Sequence, residues 1–263
     1  MPQADTIDEI IARLEEIIEA CEATGDRLGY FAALYNRVTQ AVKEAIRQGE
    51  FQDGPRMERL DVIFANRYLT AYEQYRAGEL PSRSWLKAFQ AAEDPRLIVL
   101  QHLLLGMNAH INLDLGVAAA RVAPGSELPS LQGDFDRINA ILGALTPVVE
   151  QEIDTISPEF ATLSHLAPQK LELAFVGFSM DGARDEAWKF AQALAPLPPQ
   201  AQVPLLASRD VEVALLGDVV LNDGLVVRLV RAKESQDVAG NIRDLAQGEF
   251  TVAVPPTLVA PQP

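Results

Sequence analysis

The stretch LIVLQHLLLGMNAHINLDLGVAAARVA, Leu97 to Ala123, decides the fold. It follows Pro95, ends at Pro124-Gly125, and is apolar on nearly every side. A helix of that kind has to be enclosed by other helices. Yet it carries Gln101, His102, Asn108, His110, Asn112, Asp114 and Arg121. At about 100° per residue, Gln101, Asn108 and Asn112 share one side, and His110, Asp114 and Arg121 another. His102 lies between the two. Buried polar groups are almost always hydrogen-bonded. These side chains therefore form a network that fixes the packing of neighbouring helices, or they line a pocket for a ligand, water or metal.

Working outward, helical signals flank this segment on both sides. Thr6-Ile7-Asp8-Glu9 has the form of a capping box. Ile7, Ile10, Ile11, Leu14, Ile17, Ile18 and Cys21 then follow at helical spacing, up to Gly25. Cys21 sits on that stripe as core filling. A second helix is expected from Asp26 to about Gln48, and Gly49 stops it. Asp53-Gly54-Pro55 opens a third, reaching about Arg76. Pro81 to Glu93 reads as a shorter one. A helix begins at Asp134, with Pro147 expected to kink or split it. Leu171 to Leu194 reads as helix with Gly182 near a break, and Ala195 to Pro204 as a Pro-rich connector. Val211 to Val230 suits helices better than strands, although Asn222-Asp223-Gly224 would also suit a hairpin. The expectation is an all-α fold: a multi-helix orthogonal or bundle-like domain over residues 1–250 around the buried helix 97–123. A Pro-rich tail, 251–263, follows it.

Composition limits the functions. The chain has 263 residues, 48% of them hydrophobic, and a formal net charge of -15. Such a field repels phosphate backbones and anionic lipid, so no nucleic acid or membrane partner is expected. One cysteine excludes an internal disulfide. The acidic N-terminus lacks the pattern of a signal peptide, and the expected location is cytoplasmic. G-x-G-x-x-G, a Walker loop, G-x-S-x-G and C-x-x-C are all missing. His165 is assigned no role.

The site candidates come from buried polarity. His110 and Asp114, four residues apart, stand one turn apart on one helix face. That suits two ligands of one divalent metal, or a histidine oriented by a carboxylate. His102, eight residues before His110, would stand roughly 12 Å away by helical rise, too far to share an ion. Asp61 falls inside the apolar stripe of the third helix, where a charge needs a partner. It is the carboxylate from another helix that could complete a metal site with His110 and Asp114. Arg67 and Asn66 are near it. The five tyrosines, Tyr30, Tyr35, Tyr68, Tyr72 and Tyr75, all lie on the second and third helices, where they can fill a core and serve polar partners.

Two segments, RMERLDVIFANRYL (Arg56–Leu69) and QHLLLGMNAHINLDL (Gln101–Leu115), resemble a family of bacterial proteins known only as a domain of unknown function. The resemblance covers roughly residues 25 to 195, including Ala183-Arg184 and Ala187-Trp188. It implies that the two helices form one common feature and brings no activity with it.

Two functions stand open. One is a small-molecule enzyme with a His/Asp centre: His110 as base or metal ligand, Asp61 as second carboxylate, Arg67 as a catalytic or substrate-positioning group, and Asn66, His102, Asn108 and Asn112 around a ligand. The other is a non-catalytic ligand-binding or protein-interaction module, in which the same buried residues are a structural network.

Overall fold

The computed structural model describes residues 3–159, 162, 180–221 and 224–247. These residues are all-α, with no strand among them. The helices are α1 (Ile7–Thr24), α2 (Gly29–Arg47), α3 (Gly54–Arg76), α4 (Arg83–Ala91), α5 (Val99–Val122), α6 (Leu128–Ile156), α7 (Met180–Leu194), α8 (Pro199–Val220), α9 (Leu225–Arg231) and α10 (Val238–Gln247).

The caps follow from the sequence. The Thr6 side chain accepts from the Glu9 N–H, and Gly25 closes α1 in the left-handed conformation at φ 67°. The Glu9 carboxylate, however, accepts from the Asp5 N–H rather than completing a capping box on Thr6. Asp53 caps α3 on the Arg56 N–H, and Ser82 caps α4.

Other expectations need correcting. α2 begins at Gly29, because Asp26 spends its carboxylate on the Leu28 N–H and on Arg76. α6 runs through Pro147 without being split. The supposed connector 195–204 is short: Pro199 stands in the first turn of α8, a position where proline costs no hydrogen bond, and Pro204 lies inside the helix. The preference for helices over a hairpin is borne out: Val211 to Val220 is helical, as is Leu225 to Arg231. Asn222, Asp223, residues 171–179, His165 and the tail 251–263 lie outside the described residues.

α5 is the axis. It packs against α2, α4 and α8 along its first half and against α3 and α7 along its second. Two of its glycines permit this closeness. A Cβ at Gly106 would collide with the Phe31 ring of α2, and one at Gly116 would stand 2.7 Å from the Ala187 carbonyl oxygen of α7. Val99–Val122 has the length and composition of a membrane span, yet 94% of its most apolar stretch is buried inside the protein, the setting of a core helix.

Candidate functional site

The centre of α5 is not a regular α-helix. From His110 to Leu115 it widens into a π-helical turn. Such a turn hydrogen-bonds one residue further along the chain, so carbonyls lose their usual partner, and it is frequent at functional sites. Here the Arg209 side chain of α8 donates from Nε to the Asn112 carbonyl at 2.9 Å. All six residues of the turn are buried, His110, Asn112 and Asp114 among them.

Asp114 is held from three sides. Its Oδ1 accepts from Arg67 Nε at 2.5 Å, and its Oδ2 accepts from the Trp85 indole Nε1 at 2.7 Å. His110 Nδ1 stands 3.8 Å from Oδ2, beyond a hydrogen bond but close enough to feel the charge. Burial would raise the Asp114 carboxyl, but Arg67, His110 and the indole N–H together hold it below the usual carboxylate range. Burial lowers the His110 imidazole more than Asp114 raises it, so the ring is neutral near pH 7. The ring lies flat on Phe64 at 3.5 Å between centroids, with Tyr35 against it edge-on at 4.4 Å.

On the other side of His110 lies a mostly apolar chamber of about 80 Å³ walled by α2, α3, α5, α6 and α7, with Arg184 of α7 in its lining but its guanidinium spent on Asn139 and the Phe135 carbonyl. Asp61, Tyr35 and His110 line it with Phe64, Met107 and Leu115. A neighbouring cavity of about 340 Å³ shares Leu34, Val38, Met107, Leu142 and Met180 with it. Among the described residues Asp61 Oδ2, the Tyr35 hydroxyl and both His110 nitrogens have no hydrogen-bond partner; of the two nitrogens, Nδ1 is the one that faces Asp114. Burial, with Glu58 nearby, pushes the Asp61 carboxyl up to about 7. The group is thus a buried acid that can lose its proton near neutrality.

The remaining sequence candidates are placed elsewhere. Asn66 brackets the N-terminal segment: Ala4 N donates to its Oδ1 at 2.9 Å, and its Nδ2 donates to the Ala4 carbonyl at 2.8 Å. Asn112 donates to Asn108 Oδ1 at 3.0 Å, and Asn108 Nδ2 donates to the Val213 carbonyl at 2.8 Å. That pair pins α8 to α5 and leaves neither amide facing the chamber. His102 sits beside Tyr30, 5.6 Å between centroids, at a separate cavity of about 20 Å³, with burial pushing its imidazole down to about 3. His102 and the Asn108–Asn112 pair thus lie in separate neighbourhoods along α5, and Asn66 lies on α3 beside the N-terminal segment.

The metal reading loses its geometry. Among the described residues no group of three His, Cys, Asp or Glu side chains could hold an ion. Asp114 spends one oxygen on a guanidinium and the other on an indole, and Asp61 faces the chamber on the far side of His110.

Trp85 and Tyr35 are site residues that sequence reasoning did not single out. Trp85 lies in a separate short helix, and its spacing signals only an apolar face. Tyr35 is one of five tyrosines on the second and third helices, and nothing in its spacing marks an unpartnered hydroxyl.

The chain belongs to a family of unknown function, DUF5995, whose model matches residues 7–223. No curated protein and no solved structure matches it.

Proposed function

We propose that this member of a family of unknown function is an acid–base enzyme for a largely apolar small molecule, whose reacting group sits among His110, Asp61 and Tyr35. One observation carries the reading: unpartnered polar atoms of three buried side chains converge on one apolar chamber. An unpaired buried polar group costs about 1–3 kcal/mol. A fold that keeps three of them together has a use for them, and an apolar pocket with a few convergent polar groups is the common form of a ligand site.

The roles follow from the protonation states. Neutral His110 accepts a proton from the substrate, and the imidazolium so formed faces the Asp114 carboxylate. Asp61, protonated for part of the time near pH 7, returns a proton at a second position. The Tyr35 hydroxyl donates a hydrogen bond to the oxygen that gains charge. Exchange with solvent then takes the proton from His110 and restores one to Asp61, so the net change is the movement of a proton within one molecule, as in keto–enol isomerisation. Arg67 and Trp85 act through Asp114, as positioning residues.

A second reading, a carrier that holds the same molecule without turnover, is favoured by the predominantly apolar lining. One experiment separates the two. Cyclic and chain ketones are incubated with the protein in D2O, binding is followed by ligand-observed NMR, and deuterium uptake by mass spectrometry. Uptake is expected, and it should fall about 10²–10⁴-fold in His110→Ala and Asp61→Asn variants that remain folded. Binding without exchange favours the carrier. Absence of both overturns the chamber as a ligand site.

A further inference from the structure

The largest of the cavities described is not the chamber but an open polar cleft of about 530 Å³ on the opposite side of Asp114. α3, the start of α4, the end of α5 and the N-terminal residues Gln3 to Asp5 wall it. Asn66 fixes that N-terminal wall by its paired bonds to Ala4.

Two guanidiniums enter this cleft, those of Arg67 and Arg121. Arg67 gives only its Nε to Asp114, and its terminal nitrogens make no hydrogen bond among the described residues. Arg121 makes no hydrogen bond and no ion pair among them. Desolvation and the like charge of Arg67 both lower the Arg121 guanidinium, with Asp114 opposing them. The inner cleft thus holds two cations against one carboxylate whose oxygens are already engaged, in a chain of net charge -15. Asp5 adds a second carboxylate at the exposed rim. The inner cleft, without the rim carboxylate of Asp5, keeps an excess of one positive charge, which suits a single negative charge. A dianion such as phosphate would meet both aspartates.

We propose that this cleft binds the carboxylate of a small monoanionic molecule between Arg121 and the terminal nitrogens of Arg67. Guanidinium and carboxylate match in planar, two-point geometry, which a lysine would not provide. Thr70, Gln74 and Ser82 supply neutral hydrogen-bonding groups around the rest of the ligand. The site is a separate cavity from the chamber, with Asp114 and His110 between them, and the Arg67–Asp114 pair is the element the two have in common.

The Trp85 indole N–H lines the cleft and donates to Asp114, so its NMR resonance reports occupancy. Acetate, benzoate and inorganic phosphate are titrated at constant ionic strength, held with chloride. The carboxylates should shift the resonance saturably. Arg121→Gln should weaken that binding about tenfold or more, the loss of a charge-assisted hydrogen bond. Arg121 is exposed, so this variant keeps its fold. Asp61→Asn should leave the titration unchanged, even where it abolishes events in the chamber. A linear response, or equal binding in Arg121→Gln, refutes the site. Tighter binding of phosphate refutes the monoanion.

Discussion

Asp61 is 6% exposed and has one carboxylate oxygen without a partner among the described residues. Its position on an apolar stripe was legible in the sequence. Whether it met an arginine, a metal or a cavity was not, since spacing along one helix says nothing about what the facing helix presents. The structure gives it a chamber, and a measurable consequence follows. Its folded-state carboxyl lies near 7, above the unfolded value near 4. The folded chain therefore holds a proton that the unfolded chain has released. The contribution of Asp61 to stability is full below about pH 4 and falls as pH rises to about 7, by a few kcal/mol. Asp114 has the opposite sign: its depressed carboxyl favours the fold above its unfolded value and loses that effect in acid. Urea unfolding of Asp61→Asn at pH 5 and pH 8 isolates the first effect. The variant should lose less stability over this interval than the parent does. An equal pH dependence in both proteins would mean that Asp61 is already ionised or solvated in the folded state.

At the scale of the element, the periodicity of α5 predicts a regular helix, and the π turn at His110–Leu115 departs from that. The departure rests on an arginine 97 residues along the chain, which satisfies the Asn112 carbonyl. No local pattern encodes it. The glycines divide in the same way. Gly106 and Gly143 are both helical, but a methyl at Gly106 meets the Phe31 ring whereas one at Gly143 meets nothing within 4 Å. Gly106→Ala should destabilise by about 1–3 kcal/mol, through forced displacement of α2. Gly143→Ala should stabilise by about 0.5–1 kcal/mol, through helix propensity alone. Thermal unfolding of both variants checks the pair. Equal effects would show that α2 can move away from α5 without cost.

Across the whole molecule, distant side chains secure helix ends. Asp210 of α8 accepts from the Arg83 and Ser84 N–H groups at the start of α4. Glu234, 6% exposed, accepts from the Val99 N–H at the start of α5 and from the Ser157 hydroxyl. A carboxylate is favourable at a helix N-terminus, where orphan N–H groups point outward. Glu234→Ala should cost about 1–3 kcal/mol by leaving a buried donor unpaired. It should also speed proteolytic release of the C-terminal helices α9 and α10, seen by mass spectrometry of timed digests. Unchanged digestion would mean that those helices are held by their apolar contacts alone. By itself, the sequence determined that the chain is all-α around a buried helix, because helical periodicity, capping residues and glycine stops act over a few residues and are written locally. It also determined that α5 and α3 carry the polar burden. Only the tertiary structure decided how that burden divides: Asn66, Asn108 and Asn112 to packing, Asp114 to Arg67 and Trp85, and Asp61, His110 and Tyr35 to one chamber. Those outcomes depend on which side chains meet across separate helices, and a hydrogen bond between residues 47 or 97 apart is fixed by packing geometry, not by spacing along the chain.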